Sequence, residues 1–222
     1  MPSFVVFDLD GTLLNTLPDI AGAMNRVLGR HNLPQHPEER YRRFTGNGAR
    51  LLTLRALKGR EEMLGAVYPE YLREYSAHSR VSTKPYEGIP DMLLALNSLG
   101  IPMIVYSNKD DPETKDVTRH YFPDIPFSAV LGSLPHVPLK PDPTALNELM
   151  QRLKLDPACG IYLGDTVMDI QCAKAAGLYA VAAGWGFQTR EELMGEKPER
   201  FIVRPDELVS MIKDSLSPDC CK

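Results

Sequence analysis

Residues 4–12 read FVVFDLDGT: four apolar residues lead into two carboxylates, Asp8 and Asp10, then a glycine and a hydroxyl. A strand buried on both faces has no structural reason to end in a pair of acids. Three other polar groups follow apolar runs or precede helices. Ser107-Asn108-Lys109 follows IPMIVY, Asp165-Thr166 follows GIYLG with Asp169 one turn later, and Lys140 lies in LKPDP. In open parallel sheets, ligands bind outside the carboxyl ends of the strands, where strand order reverses. The acids and Ser107-Asn108 are therefore expected on one edge, with Lys140 joining from its loop.

Carboxylates gathered on one edge repel each other. Two unit charges ~5 Å apart at an effective dielectric of ~20 cost roughly 3 kcal/mol, so a positive partner is required. A cation held by oxygen ligands alone, with no Cys or His at hand, points to Mg²⁺. Lys140 adds a second positive charge, and Ser107 and Asn108 add donors; together these describe a phosphate site. A carboxylate within a phosphate site suggests phosphoryl transfer. One aspartate attacks phosphorus and forms a mixed anhydride that water readily cleaves. A second carboxylate protonates the leaving alkoxide and then deprotonates the water. Asp8 and Asp10, at i and i+2, would face one side of an extended chain. Gly11 lets backbone come close to the phosphate, and the Leu9 N–H is a further donor.

The elements that must position these groups alternate. Strands are expected at Phe4–Phe7, Ile101–Tyr106, Phe127–Leu131, Gly160–Leu163, Tyr179–Ala183 and Phe201–Val203. Helices are expected at Ile89–Leu99, Pro112–Tyr121, Pro143–Leu153, Met168–Ala176 and Pro205–Leu216. This is the pattern of a parallel sheet with helices on both faces. Residues 15–82 break it, with helix signals and no strand. Thr16-Leu17-Pro18-Asp19 reads as a capping box. Leu64, Val67, Tyr68, Tyr71, Leu72 and Tyr75 form a helical stripe expected to pack on other helices. The expectation is an α/β core, 1–14 with 83–222, and a helical insert, 15–82.

The chain of 222 residues is 43% hydrophobic and 24% charged with net charge −4, an ordinary soluble composition that argues against nucleic acid or an anionic membrane as the main partner. Neither a membrane-span run nor a signal-peptide layout is apparent, and the chain reads as cytoplasmic. Cys159, Cys172, Cys220 and Cys221 show no metal-binding spacing and read as free thiols. The histidines fall outside the motifs. Trp185 is expected to pack near the last strands rather than serve the site.

At these residues the sequence resembles the phosphatases of the haloacid dehalogenase-like superfamily. D-x-D-G-T is Asp8–Thr12, the hydroxyl motif is Ser107-Asn108, the lysine motif is Lys140-Pro141, and G-D-x-x-x-D is Gly164–Asp169. The resemblance implies a Rossmann-like core with an all-α cap inserted after the first strand. It makes Asp8 the nucleophile and a Mg²⁺ ligand, and Asp10 the acid/base, bound to the metal through its carbonyl. Leu9, Ser107, Asn108 and Lys140 would hold the phosphoryl group. Asp165 would complete the metal site, with Asp169 ligating through water or orienting its neighbours. The likeness is greatest to phosphoglycolate phosphatases, whose cap loop corresponds to Gly46-Asn47-Gly48 with Arg50. The implied substrate is a small phosphorylated metabolite, 2-phosphoglycolate first, hydrolysed by a monomer or homodimer. β-Phosphoglucomutase-like and pyrophosphatase chemistry are the alternatives within the superfamily. A receiver-like signalling domain is the alternative outside it, disfavoured because no lone aspartate follows the second apolar run.

Overall fold

The structure, a computed structural model, describes residues 2–216; Cys220 and Cys221 lie outside them. A six-stranded parallel sheet has the order β5-β4-β1-β6-β7-β8. Its strands are β1 (Phe4–Phe7), β4 (Met103–Asp110), β5 (Ala129–Ser133), β6 (Gly160–Gly164), β7 (Tyr179–Ala183) and β8 (Arg200–Ile202). After β1 the chain builds toward β5, then returns to the other side of β1 with β6. The order reverses at β1, so the carboxyl ends of β1, β4 and β6 meet there.

All four residues of β1 are fully buried, and they alternate between two cores. Val5 and Phe7 join Met103, Val105 and Leu163 on one face, while Phe4 and Val6 join Ile104, Tyr106 and Tyr162 on the other. Helices α5 (Ile89–Ser98) and α10 (Asp206–Leu216) cover the first face. Helices α7 (Thr144–Leu153) and α8 (Val167–Ala175) cover the second. The expected strands and helices are all found with small shifts. β4 differs most: it starts at Met103, because Pro102 has no N–H to give a ladder, and runs on to Asp110 through a register irregularity after Tyr106.

Between β1 and β4, helices α1 (Leu17–Arg30), α2 (Glu38–Tyr41), α3 (Gly48–Leu57) and α4 (Leu64–His78) pack around their own apolar cluster. Val67, Tyr71 and Tyr75 of the expected stripe are buried in it. One feature left no trace in the sequence, and one expectation needs correction. The stretch is flanked by a two-stranded antiparallel ribbon, β2 (Leu14–Asn15) with β3 (Lys84–Pro85), too short to show a period in sequence. The capping box is not formed: Thr16 makes no side-chain cap, and its hydroxyl oxygen is buried without a partner. Asp19 instead accepts hydrogen bonds from the Ser82 and Thr83 N–H groups, 63 and 64 residues away, tying the two ends of the ribbon region together. Among the described residues no helix is long and apolar enough to cross a membrane.

Candidate active site

Asp8 follows β1 directly and is almost fully buried. Its Oδ1 accepts from Lys140 Nζ at 2.6 Å, and the same ammonium donates to Asp169 Oδ1 at 2.7 Å and to the Tyr106 carbonyl at 3.3 Å. Asp165, at the end of β6, is fully buried. It accepts from the Thr12 hydroxyl at 2.8 Å and the Phe187 N–H at 2.7 Å. Asp8, Asp165 and Asp169 each offer an oxygen, all within 4.8 Å of one another. The sequence motifs do meet in space.

The charge balance of this cluster is unusual. Burial pushes the Asp8 carboxyl up to about 7, outweighing the pull of the Lys140 ammonium, with the charges of Asp169 and Asp10 adding to the rise. Burial, then the charges of Asp8 and Asp169, hold Asp165 well above the usual carboxylate range. Burial alone would lower Lys140; the charges and hydrogen bonds of Asp169 and Asp8 override it and hold the ammonium above the ordinary lysine value. Were all three ionised, the buried carboxylates would face one buried ammonium with an excess of two negative charges. A divalent cation would cancel it, and the all-carboxylate donor set suits a hard ion such as Mg²⁺.

Asp165 is also held sterically. A Cβ on Gly11, whose φ of +92° already disfavours other residues, would overlap the Asp165 carboxylate, and a Cβ on Gly186 would overlap it too. Gly186→Ala is therefore expected to displace Asp165 and, should Mg²⁺ activate the protein, to weaken that activation about 10- to 100-fold. A Mg²⁺ titration of activity checks this; an unchanged half-saturation point would show that Asp165 is free to adjust. Asp169 is bound differently. Its Oδ1 accepts from Lys140 and the Tyr162 hydroxyl, and its Oδ2 from the Thr166 N–H and hydroxyl. Four protein donors fix it, and one of them is the Lys140 ammonium.

These groups open onto a cavity of about 270 Å³ between the sheet edge and helices α1, α3 and α4. Asp8, Asp10, Ser107, Asn108 and Lys140 all line it. The Leu9 side chain is buried in the core, which leaves only its backbone to serve a ligand. Asn108 offers less than expected. Its amide donates to the Gly46 and Lys140 carbonyls and accepts from the Lys140 N–H, so the side chain fastens the lysine loop to the cap loop. Of the cap-loop residues, Gly46 and Gly48 reach the cavity wall; Asn47 and Arg50 do not. Asn47 is turned away because its Oδ1 accepts from Arg55, which also donates to the Phe44 and Thr45 carbonyls. Arg50 is exposed.

Sequence reasoning missed Lys109. Its Nζ donates to both oxygens of Asp10, at 3.2 and 3.1 Å, and to the Tyr75 hydroxyl of α4 at 2.7 Å. Its place directly after Ser107-Asn108 was the available signal. Trp185 also serves the site indirectly: its Nε1 donates to the Thr12 carbonyl, steadying the turn that carries Asp10.

The chain matches known proteins along most of its length. A family model described as haloacid dehalogenase-like hydrolase matches residues 5–183. The chain is 32% identical to the phosphoglycolate phosphatase of Aquifex aeolicus, covering 96% of this chain and 97% of that protein. It is 31% identical to the N-acetylmuramic acid 6-phosphate phosphatase of Pseudomonas aeruginosa, covering 97% and 96%. A crystal structure titled as a predicted phosphoglycolate phosphatase from Haemophilus somnus superposes with a TM-score of 0.88 at 28% identity, covering 95% of this chain and 98% of that one. With the reversal of strand order at β1 and the acids and lysine gathered at its end, these matches lead to one statement: the chain belongs to the haloacid dehalogenase-like hydrolases.

Proposed function

We propose that the protein is a Mg²⁺-dependent phosphomonoester hydrolase that works through a phosphorylated Asp8. One observation carries the reading: Asp8, Asp10 and Lys140 line one cavity, and Asp165 places a carboxylate oxygen within 4.8 Å of one of Asp8's. An Asp8 oxygen attacks phosphorus, and the bond from phosphorus to the leaving alcohol breaks. Asp10, carrying a proton, passes it to the departing alkoxide. Asp10 then takes a proton from a water molecule, whose oxygen attacks the same phosphorus. The phosphorus–oxygen bond to Asp8 breaks, inorganic phosphate leaves, and the Asp8 carboxylate is restored. Lys140 neutralises Asp8 as the anionic ester approaches and balances charge on the transferring group. Ser107 and the Leu9 N–H supply donors to its oxygens. Asp8 and Asp165, with the Asp10 carbonyl, would hold Mg²⁺, and Asp169 would act through Lys140. When bound, the ion supplies Lewis-acid stabilisation of the phosphoryl oxygens.

Residues 15–82 serve in this reading as a cap that excludes bulk water from the cavity over a core of 1–14 and 83–222. The names of the relatives support 2-phosphoglycolate as the first substrate to assay. The cap geometry supports only the wider class, since Arg50 does not line the cavity.

p-Nitrophenyl phosphate tests the reading. Hydrolysis is expected to fall to background when divalent cations are chelated and to return with Mg²⁺. Ca²⁺ should restore it poorly, because its looser coordination misplaces the attacking oxygen. Full activity under chelation would overturn the metal assignment.

A further inference from the structure

Five buried side-chain oxygens lack a hydrogen-bond partner among the described residues: the hydroxyls of Thr16, Ser79, Thr83 and Thr118, and Oε1 of Glu113. Only Glu113 belongs to the wall of the active-site cavity. It lies in the first turn of α6 (Asp111–Tyr121), on the wall that Asp8, Asp10 and Lys109 also line. Oε1 itself is closed off, but the other carboxylate oxygen of Glu113 is not among the buried atoms and has no partner among the described residues, so the carboxylate meets the cavity as a charged acceptor in want of a donor.

The rest of the wall agrees. The cations on it are Lys109 and Lys140, and both are already paired with carboxylates. To the same lining the cap contributes Ile20, Leu52, Tyr71 and Leu72, which offer mostly apolar surface. Burial, then the charges of Asp10 and Glu113, hold the Tyr75 hydroxyl well above its ordinary pKa, so the Glu113 charge is felt at Tyr75, another residue of the same wall. A carboxylate there would meet a like charge and no unpaired cation on the wall. A hydroxyl or ammonium group would meet an acceptor in want of a donor.

We infer that the site prefers phosphate monoesters whose leaving alcohol ends in a hydrogen-bond donor, hydroxyl or ammonium, over those ending in a carboxylate, and that Glu113 reads this difference. The inference rests on the phosphomonoester hydrolase reading. Three esters of matched size test it: ethylene glycol monophosphate, phosphoethanolamine and 2-phosphoglycolate, which differ in the group at the far carbon. p-Nitrophenyl phosphate, with neither donor nor carboxylate, reports the chemistry itself. The hydroxyl or the ammonium ester is expected to exceed 2-phosphoglycolate in kcat/KM by at least tenfold. The better of the two tells a polyol from an amino alcohol. Glu113→Gln, which removes the charge, should shrink that advantage at least fivefold; if this variant does not fold, the ratio in the unaltered protein decides. Equal or better use of 2-phosphoglycolate, with p-nitrophenyl phosphate still cleaved, overturns the specificity inference alone. An advantage untouched in a folded Glu113→Gln overturns the role of Glu113. Failure to cleave any of the four esters overturns both the inference and the reading beneath it.

Discussion

Asp8→Asn is expected to lower p-nitrophenyl phosphate hydrolysis by about 10⁴-fold or more while leaving the protein folded, because it removes the attacking atom from a group of residues that act as a unit. The shape of the site is kept, since an asparagine oxygen can still accept from Lys140 Nζ, which lies 2.6 Å from Asp8 Oδ1. Stability should move the other way. Burial raises the Asp8 carboxyl to about 7 in the folded chain without a cation. A carboxyl raised on folding favours the folded state below its unfolded pKa, and that advantage is lost as pH rises through about 7. At pH 8 the ionised Asp8 therefore opposes folding of the metal-free protein, and asparagine relieves this. Thermal melts of both proteins in chelator at pH 8, alongside initial rates, check the pair of effects. A variant retaining a tenth of the activity would remove Asp8 as nucleophile.

Lys140→Met carries the largest expected loss of stability. The ammonium is buried against Asp8 and Asp169. Its removal leaves a cluster of carboxylates with no counter-charge, for which about 3–5 kcal/mol of destabilisation is expected. In a protein of this size that is a fall in melting temperature of roughly 6–20 °C. Activity should fall by about 10²- to 10³-fold or more with the loss of one preorganised charge at the phosphoryl group. Calorimetry in chelator reads the first effect. Adding Asp169→Asn to the variant should recover part of the lost stability, because it removes one of the stranded charges. A melting temperature equal to that of the unaltered protein would mean that the cluster does not depend on the lysine.

Much of this was legible in the residues themselves. The alternation of short apolar runs with amphipathic stretches fixed the sheet, because strands buried on both faces leave that trace. The acids, the serine and the lysine could be placed together because each follows a strand or opens a helix in a parallel sheet. Partnerships across space left no such trace. Asp19 stands where a capping box would use it, yet it binds N–H groups of Ser82 and Thr83. Asn108 stands in a phosphate motif, yet its amide holds the Gly46 and Lys140 carbonyls. Tyr71 and Tyr75 showed in their spacing that they face other helices, but not that they also edge the cavity. Lys109 was visible beside the hydroxyl motif, but its tie to Asp10 and Tyr75 depends on how α4 lies over the sheet edge.

The β2–β3 ribbon has a mechanical consequence. Both passages of the chain between the sheet and helices α1–α4 run side by side through it, so the covalent path to those helices passes one jamb, like a door. Two polar ties bridge the helices to β4: the Asn108 amide on the Gly46 carbonyl at 2.9 Å and the Lys109 ammonium on the Tyr75 hydroxyl at 2.7 Å. They stand where a latch would. Swinging the helices open about the ribbon must break both, and one of them holds the very lysine that is paired with Asp10.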